Sequence, residues 1–342
     1  MTHFAEVQPT LENYWRSIIL FGRNVASYKF ALGKSLLELS QQGKQTVSLE
    51  ELAEPFARHI CQHLASAAKQ ATSSSSRFLD TCRKFNNGEI KKEELLDATA
   101  KLGFNNVIDA FHVVHDGAIS VRFFHDERKD KTKGIRLADD LFKLTEHYQY
   151  RNLPSEVEAR WRLVETAWEL NLPRHVLSVG FDPDGELLVV NDRLFGRKPI
   201  TSCRDALNGY QKGKCFYCFD DVSVLDSADD LADVDHFFPH TLKPHGLGDL
   251  LDGVWNLVLA CQSCNRGPKG KFAQLPELRF LERLHTRNSF YIESHHPLRE
   301  TLILQTGISE AKRRQFLQEI YRQSKELLVQ NWKPDFQHEP AF

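Results

Sequence analysis

The chain has 342 residues, enough for about two or three domains with a substantial hydrophobic core. Its composition, 41% hydrophobic and 26% charged with 18 Gly and 13 Pro, is that of a globular protein. It excludes collagen-like, coiled-coil, membrane-spanning and small disulfide-stapled classes. The formal net charge of -2 excludes a globally basic nucleic-acid binder, so any nucleic-acid surface must be local.

The N-terminus carries no sign of a secretory signal. The first residues, MTHFAEVQPTLENYW, lack both the basic and the apolar segment of a signal peptide. We therefore expect a cytoplasmic protein whose seven cysteines stay reduced and form no disulfides.

Residues 1–195 are expected to form a mainly helical region with a small β component. Apolar residues recur at helical spacing over 11–39, which predicts a helical hairpin. Ser48 and Glu51 have the spacing of a capping box, so another helix should begin there. Further helices are expected over 78–85, 91–102, 136–148 and 155–170, the last with Ser155 as its cap.

Short stretches in the same region predict β-structure. Branched and aromatic residues over 118–124 predict a strand. Runs at 176–179 and 187–190 flank the turn signal DPDG at 182–185, as in a hairpin. The polar segment 126–136 predicts a solvated loop, with a phosphate-contacting loop as the alternative.

The strongest chemical signal is a pair of CxxC motifs, one at Cys215 and Cys218 and one at Cys261 and Cys264. Two residues between the thiolates allow both sulfurs to face one ion, and two such pairs form the tetrahedral cage that Zn²⁺ prefers. A redox pair or four unrelated core thiols are the alternatives. The sequence predicts a structural zinc site that ties two distant segments together. The remaining cysteines are expected to be buried free thiols: Cys61, Cys82 and Cys203.

A second group of polar residues lies between and beside these pairs. The segments DVDHFFPH at 233–240 and WNLVLA at 255–260 predict two short strands that can pair. The first carries Asp235 and His236, and Asn265 follows the second CxxC directly. Imidazole near its usual pKa can accept a proton from water, and Asp and Asn oxygens suit Mg²⁺. The sequence therefore predicts a hard-cation site beside a general base.

The order of these motifs, CxxC, then DHxxP, then NL, then CxxCN, resembles that of the HNH endonuclease family. The resemblance lies within 196–275, which we predict to be a nuclease domain followed by a C-terminal helical region, 276–342. Together with the helical patterns on either side of it, the resemblance predicts an α+β, mainly helical fold. In that fold a ββα-metal core with four-cysteine zinc knuckles is embedded between the helical regions.

The resemblance also implies a reaction, the metal-dependent hydrolysis of DNA phosphodiester bonds with Mg²⁺ or Mn²⁺. His236 would be the general base, Asp235 and Asn265 would hold the cation, and Asn256 would fasten the loop between the strands. Such hydrolysis should leave 5′ phosphate and 3′ hydroxyl ends. Nucleases of this kind with an extra helical region resemble components of bacterial restriction and anti-phage defence systems, some of which act beside a partner ATPase.

Some residues near the motifs fit the resemblance less directly. On a regular strand Asp235 and His236 point to opposite faces, whereas Asp233 shares the face of Asp235 and is an alternative ligand. The segment RGPKGK at 266–271 contains two Gly and a Pro, so the helix after the second CxxC should be brief. Its positive charges are expected to hold the substrate's phosphates: Arg266, Lys269 and Lys271.

A different class of function is a catalytically silent zinc-stapled module that binds nucleic acid or protein. A purely structural cage needs none of His236, Asp235, Asn256 and Asn265, so their joint presence favours the nuclease. His240 and His245 are further candidates for a substrate or metal contact. The long segment before the motif predicts control of access to the site, with an added DNA-binding surface as the alternative. Acidic residues over 220–235 would contribute by repelling phosphates.

Overall fold

The computed structural model describes residues 9–21, 26–72, 76–114, 117–131, 133–169, 179–182, 186–192, 196–225, 228–293, 296 and 298–342. These residues form an α+β fold with helices and small sheets of two or three strands. The chain divides into two compact units, Met1–Val157 and Glu158–Phe342. The finer division into 1–195, 196–275 and 276–342 concerns function and stays a prediction. Within the described part of the chain, no helix is long and apolar enough to cross a membrane.

The first unit is mainly helical. Its helices are α1 (Leu11–Phe21), α2 (Tyr28–Ser40), α3 (Leu49–Ser66), α4 (Arg77–Asn86), α5 (Lys92–Ala98) with the π-helical turn Thr99–Gly103, α6 (Val107–Ala110) and α7 (Asp139–Glu146). Its strands are β1 (Thr46–Ser48), β2 (Val113–Val114), β3 (Gly117–Ala118), β4 (Phe124–Glu127) and β5 (Gly134–Leu137). Strands β1, β5 and β4 form an antiparallel sheet in that order, and β2 pairs with β3. The 3₁₀ turn Tyr148–Asn152 leads into α8 (Leu153–Glu169), which contains the boundary between the units.

Local signals placed several helices of this unit correctly. The helices predicted over 11–39 are confirmed as α1 and α2, and the capping box at the start of α3 is confirmed. The Glu51 amide donates to Ser48 Oγ at 3.2 Å, and the Ser48 amide donates to Glu51 Oε2 at 3.0 Å. Two amides that the helix leaves unpaired are therefore satisfied. The helices predicted over 78–85 and 91–102 are confirmed as α4 and as α5 with its π-helical turn.

The strand predicted over 118–124 is wrong for residues 119–123, which lie outside any strand. Phe123 and Phe124 are adjacent and both buried, but only Phe124 belongs to a strand, β4. The Phe123 amide donates instead to Nε2 of the buried His112 at 3.0 Å. The loop predicted over 126–136 is confirmed only between the strands, where residues 128–131 and 133 form a turn. The ends of the segment belong to the β4–β5 hairpin, with Glu127 opposite Gly134.

Two helix starts also differ from the prediction. Arg136 belongs to β5, so α7 begins only at Asp139. Helix α8 begins at Leu153, which places Pro154 in its first turn, where the missing amide of proline costs no hydrogen bond. Ser155 is therefore inside the helix and is not its cap.

The second unit contains the motif residues. Its further helices are α9 (Cys203–Gln211), α10 (Gln262–Arg266), α11 (Leu278–Glu293), α12 (Arg299–Thr306) and α13 (Glu310–Leu327). Its strands are β6 (Gly180–Asp182), β7 (Leu187–Asp192), β8 (Gly196–Ser202), β9 (Asp233–His236), β10 (Leu257–Ala260), β11 (Leu275–Pro276) and β12 (Asn331–Trp332). Strands β6, β7 and β8 form one antiparallel sheet, β9 pairs with β10 antiparallel, and β11 pairs with β12 parallel. Between β9 and β10 lie the 3₁₀ turns His240–His245, Gly248–Asp252 and Val254–Asn256.

The hairpin predicted around 182–185 is observed in part. Strand β7 covers the predicted run 187–190 and pairs with β6, with Phe181 opposite Leu188. Residues 176–178 and 183–185 of this prediction lie outside the described residues.

Strand β10 is fully buried within the second unit. All four of its residues are buried, so neither face of the strand meets solvent. The Gln211 side chain completes its edge, donating to the Leu259 carbonyl at 2.8 Å and accepting from the Leu259 amide at 2.9 Å. The buried Arg287 guanidinium donates to the carbonyls of Leu257 and Trp255 at 2.7 and 2.9 Å. These bonds satisfy buried backbone groups and fix β10, and with it β9, in place.

Candidate functional site

The four cysteines of the CxxC motifs meet in one cluster, with their sulfurs within 4.8 Å of one another. The sulfurs of Cys218 and Cys261 are 3.7 Å apart. A disulfide would require about 2.05 Å, whereas a tetrahedron with zinc–sulfur bonds of about 2.3 Å has edges of about 3.8 Å. The cluster could therefore hold a metal ion such as zinc. The other three cysteines are buried and free, as predicted: Cys61, Cys82 and Cys203.

Polar groups at the cluster favour negative charge on two of its sulfurs, those of Cys218 and Cys261. The amides of Asp220 and Cys264 point at the sulfurs of Cys218 and Cys261, at 3.5 and 3.4 Å. Hydrogen bonds from Cys215, Cys218 and Cys264 lower the pKa of Cys261, whereas burial raises the pKa of Cys215. Thiolates this close together repel one another unless a cation lies between them. The donor set thus fits a metal with four sulfur ligands.

The first CxxC also holds the two strands of the site. The Phe216 amide donates to the Leu259 carbonyl of β10 at 2.8 Å. The Tyr217 hydroxyl donates to Asp235 Oδ2 of β9 at 2.6 Å. The second CxxC follows β10 directly and continues into α10, which has five residues, as brief as expected. A metal in the cluster would consequently fix the β9–β10 pair and the helix after it.

The predicted pairing of β9 with β10 is confirmed, with His236 opposite Leu257. Asp235 is buried, and its Oδ1 lies 3.1 Å from Nζ of Lys271. Lys271 also donates to the carbonyls of His236 and Phe272 at 3.0 and 3.2 Å, and its side chain has no exposed surface. This corrects the expectation that Lys271 contacts substrate phosphates, because its ammonium group is buried and paired with Asp235. Burial raises the pKa of Asp235, although Lys271 and Tyr217 act to lower it.

Asn265 is bonded to the other carboxylate of β9. Its Nδ2 donates to Asp233 Oδ2 at 3.0 Å, and Arg266 Nε donates to the same oxygen at 2.9 Å. The structure thus joins Asn265 to Asp233 and Asp235 to Lys271, whereas the resemblance implies that Asp235 and Asn265 share a cation. The remaining basic residue of the predicted set, Lys269, is exposed and pairs with Asp335 at 2.7 Å.

Asn256 fixes the segment between the two strands. Its Oδ1 accepts from the Phe238 amide at 2.8 Å, and its Nδ2 donates to the carbonyls of Phe238 and Leu251 at 3.0 and 2.8 Å. The side chain is fully buried, so these bonds face no competition from water. Asn256 thereby ties the residues after His236 to those before β10.

His236 faces two side chains that no motif assigned to it. Its Nε2 lies 3.6 Å from Oδ1 of Asp252, and Nε2 of His240 lies 3.7 Å from the same oxygen. The centroids of the two imidazole rings are 3.8 Å apart. Asp252 ends the 3₁₀ turn Gly248–Asp252 and belongs to no motif, so no sequence signal indicated it. His245 of the preceding turn is exposed.

This group is short of hydrogen bonds. Nε2 of His236 and Oδ1 of Asp252 are both buried, and neither has a hydrogen-bond partner among the described residues. The other oxygen of Asp252 accepts from Lys243 at 2.7 Å. Burial lowers the pKa of His236 to about 3, with a smaller contribution from His240. The imidazole is therefore neutral at pH 7 and can accept a proton or bind a cation.

Among the described residues, two groups of His, Cys, Asp and Glu side chains could hold a metal: the four cysteines and the group His236, His240 and Asp252. Comparisons with protein-family models, with curated proteins and with solved structures find no match to this chain. What the site does therefore has to be inferred from its own residues.

Proposed function

We propose that this protein is a metal-dependent endonuclease of the HNH type that hydrolyses DNA phosphodiester bonds, with His236 at the reactive centre. The observation that carries the proposal is the state of this side chain. It lies at the end of a strand that the cysteine cluster holds, and its buried Nε2 has no hydrogen-bond partner in the part of the chain that the structure describes. A neutral imidazole in such a place is suited to accept a proton from water or to bind a divalent cation. Both roles serve phosphodiester hydrolysis.

In this proposal the cysteine cluster holds zinc with a structural role. Four thiolate ligands leave no open position for substrate on a tetrahedral ion. Phe216 and Tyr217, between the first two cysteines, bond directly to β10 and β9. Zinc would therefore act on the reaction only by keeping His236 in position.

The second metal of the proposal is a catalytic Mg²⁺ or Mn²⁺ ion beside His236. Such a cation would neutralise charge that develops on the phosphate and would lower the pKa of bound water. The chain's own residues supply the rest. Asn256 holds the segment after His236, and Arg266 and Lys269 offer exposed positive charges beside the second CxxC. Their surface ion pairs are weak enough to exchange for phosphate contacts.

We extend the proposal to a biological role in bacterial restriction or anti-phage defence. The helical region before the motif would then recognise the target, restrain the nuclease or bind a partner such as an ATPase. This extension follows the family resemblance of the motif residues.

A cleavage assay tests the proposed activity. The full chain is incubated with supercoiled plasmid, single-stranded DNA, modified phage DNA and RNA, in Mg²⁺ or Mn²⁺. His236→Ala should remove nearly all cleavage and leave zinc content and the unfolding midpoint close to unchanged, because the residue lies outside the cysteine cluster. His245→Ala, at an exposed histidine nearby, is the matched control and should cleave like the parent. Equal cleavage by His236→Ala, or no cleavage of any substrate by the parent, would contradict the proposal.

A second candidate is the catalytically silent zinc-stapled module that binds nucleic acid or protein. The resemblance implies that Asp235 and Asn265 are cation ligands, but Asp235 is paired with Lys271 and Asn265 is bonded to Asp233. These contacts favour the silent module. Such a module would retard DNA or RNA in a gel without cutting it. His236→Ala would leave that binding unchanged.

A further inference from the structure

Three donor atoms converge on a point beside His236. Nε2 of His236 and Nε2 of His240 lie 3.6 and 3.7 Å from Oδ1 of Asp252, and all three atoms lie within 4.8 Å of one another. These distances are too long for hydrogen bonds, which end near about 3.2 Å. The His236 nitrogen and the Asp252 oxygen are buried, and no described residue forms a hydrogen bond with either atom. Burying a polar atom without a partner costs free energy, and a cation between the three atoms would remove that cost.

The spacing fits a metal ion. Bonds of about 2.0–2.2 Å to imidazole nitrogen and carboxylate oxygen place neighbouring donors about 3.0 Å apart at right angles and about 3.4 Å apart at tetrahedral angles. The two nitrogen–oxygen distances observed exceed the tetrahedral value only slightly. Small side-chain movements would close the set, and His240 is half-exposed and free to make them.

We propose that His236, His240 and Asp252 bind one divalent transition-metal ion. Two imidazoles and one carboxylate suit manganese, iron, cobalt or zinc better than magnesium or calcium, which prefer oxygen ligands. Three protein donors leave positions open on the ion for water and substrate. The inference rests on the proposed function in one respect, since it names the residues that hold the catalytic cation.

The surroundings of the three residues support this assignment. Lys243 holds Oδ2 of Asp252 at 2.7 Å, which leaves Oδ1 directed towards the histidines. Asn256 bonds to the carbonyls of Phe238 and Leu251, so it joins the two chain segments that carry the ligands. Lys243 and Asn256 are positioning residues for the site.

The cation site that the resemblance implies would require a rearrangement. Asp235 would have to leave Lys271, and a fully buried ammonium group would lose its only carboxylate partner among the contacts shown by the described residues. Asn265 would have to leave Asp233. The group at His236 needs neither change, which favours it as the ligand set.

Manganese titration tests the assignment directly. The zinc-loaded full chain is titrated with Mn²⁺, and free Mn²⁺ is measured by electron paramagnetic resonance. Mn²⁺ binds protein ligands less tightly than zinc and prefers harder donors, so it leaves zinc in the thiolate cluster. We expect one Mn²⁺ per chain and a loss of affinity of at least about tenfold in both Asp252→Asn and His240→Gln. His245→Gln and Asn265→Ala are the controls and should bind like the parent.

Each other outcome has a definite meaning. No Mn²⁺ binding by the parent, unchanged affinity in Asp252→Asn, or loss of binding in Asn265→Ala would overturn the assignment. His240→Gln changes a half-exposed side chain, and zinc content and circular dichroism show whether it has folded. Mn²⁺ binding with the expected dependence but without nucleic-acid cleavage would keep the metal site and reject the nuclease. Cleavage and Mn²⁺ binding that both survive in Asp252→Asn would keep the nuclease and reject this site.

Discussion

Removal of the ammonium group of Lys271 should destabilise the strand that carries His236. The Lys271 side chain is fully buried, and among the described residues its ammonium group contacts Asp235 Oδ1 and the carbonyls of His236 and Phe272. In Lys271→Met the Asp235 carboxylate stays in the interior without a counter-charge, and two carbonyls lose a donor. In Asp235→Asn the ammonium group is left without its carboxylate.

The structure allows an estimate of these effects. Breaking a buried ion pair by removing one partner costs about 3–5 kcal/mol of unfolding free energy. Replacing both partners, in Asp235→Asn with Lys271→Met, removes both buried charges and leaves an amide oxygen for the Tyr217 hydroxyl. The remaining loss is the two hydrogen bonds from Lys271 to carbonyls, about 1 kcal/mol each. The double variant should therefore cost less than either single variant.

The pH dependence of Lys271→Met is a second consequence. Burial already raises the pKa of Asp235, and the loss of Lys271 removes the largest effect that lowers it. A carboxyl whose pKa is higher in the folded state than in the unfolded state stabilises the fold at low pH and loses that contribution as pH rises. Relative to the parent, Lys271→Met should be less destabilised at pH 5 than at pH 8.

Urea unfolding of the parent, the two single variants and the double variant measures these unfolding free energies. Zinc release, followed with a chelating dye, identifies the transition of the unit Glu158–Phe342, and an unchanged slope shows that the midpoints report stability. Costs below about 1 kcal/mol in both single variants, or costs that simply add in the double variant, would refute the reasoning.

Two further results are expected. The purified chain should contain about one Zn²⁺. Cys264→Ser should lose this zinc and destabilise the second unit, because metal binding contributes to the folding free energy. The control Cys203→Ser, at a buried thiol outside the cluster, should keep its zinc. The first unit should lose about 2 kcal/mol of stability between pH 7 and pH 5, because burial lowers the pKa of His112 to about 3 while the unfolded chain binds a proton near pH 6.5. His112→Gln, which keeps an acceptor for the Phe123 amide, should show less of this loss.

Each of these two predictions can be contradicted by a specific result. A zinc-free parent, or a Cys264→Ser variant as stable as the parent, would reject the metal assignment of the cysteine cluster. A decrease in stability below pH 6.5 that is the same in His112→Gln and in the parent would assign the effect to other groups.

The amino-acid sequence by itself determined the features that depend on short spacing. Two residues between cysteines are enough to predict that both thiols of a CxxC face one point, and the four cysteines do lie together. The short apolar run within 255–260 predicted β10, and the separation of Ser48 from Glu51 predicted the cap of α3. In each case the signal and the structure involve the same few neighbouring residues, so tertiary contacts have little to change.

Only the tertiary structure decided which charged groups are inside and which residues meet. Lys271 belongs to a run of basic and small residues, a composition typical of exposed segments. Its side chain is nevertheless buried, because the Asp235 carboxylate balances its charge and two carbonyls accept its hydrogen bonds. Asp252 lies far along the chain from His236 and in no motif, and 3₁₀ turns fixed by Asn256 bring the two together. Local spacing carries no information about such contacts, because they depend on how distant segments pack. The candidate metal site at His236 therefore became visible only in the folded chain.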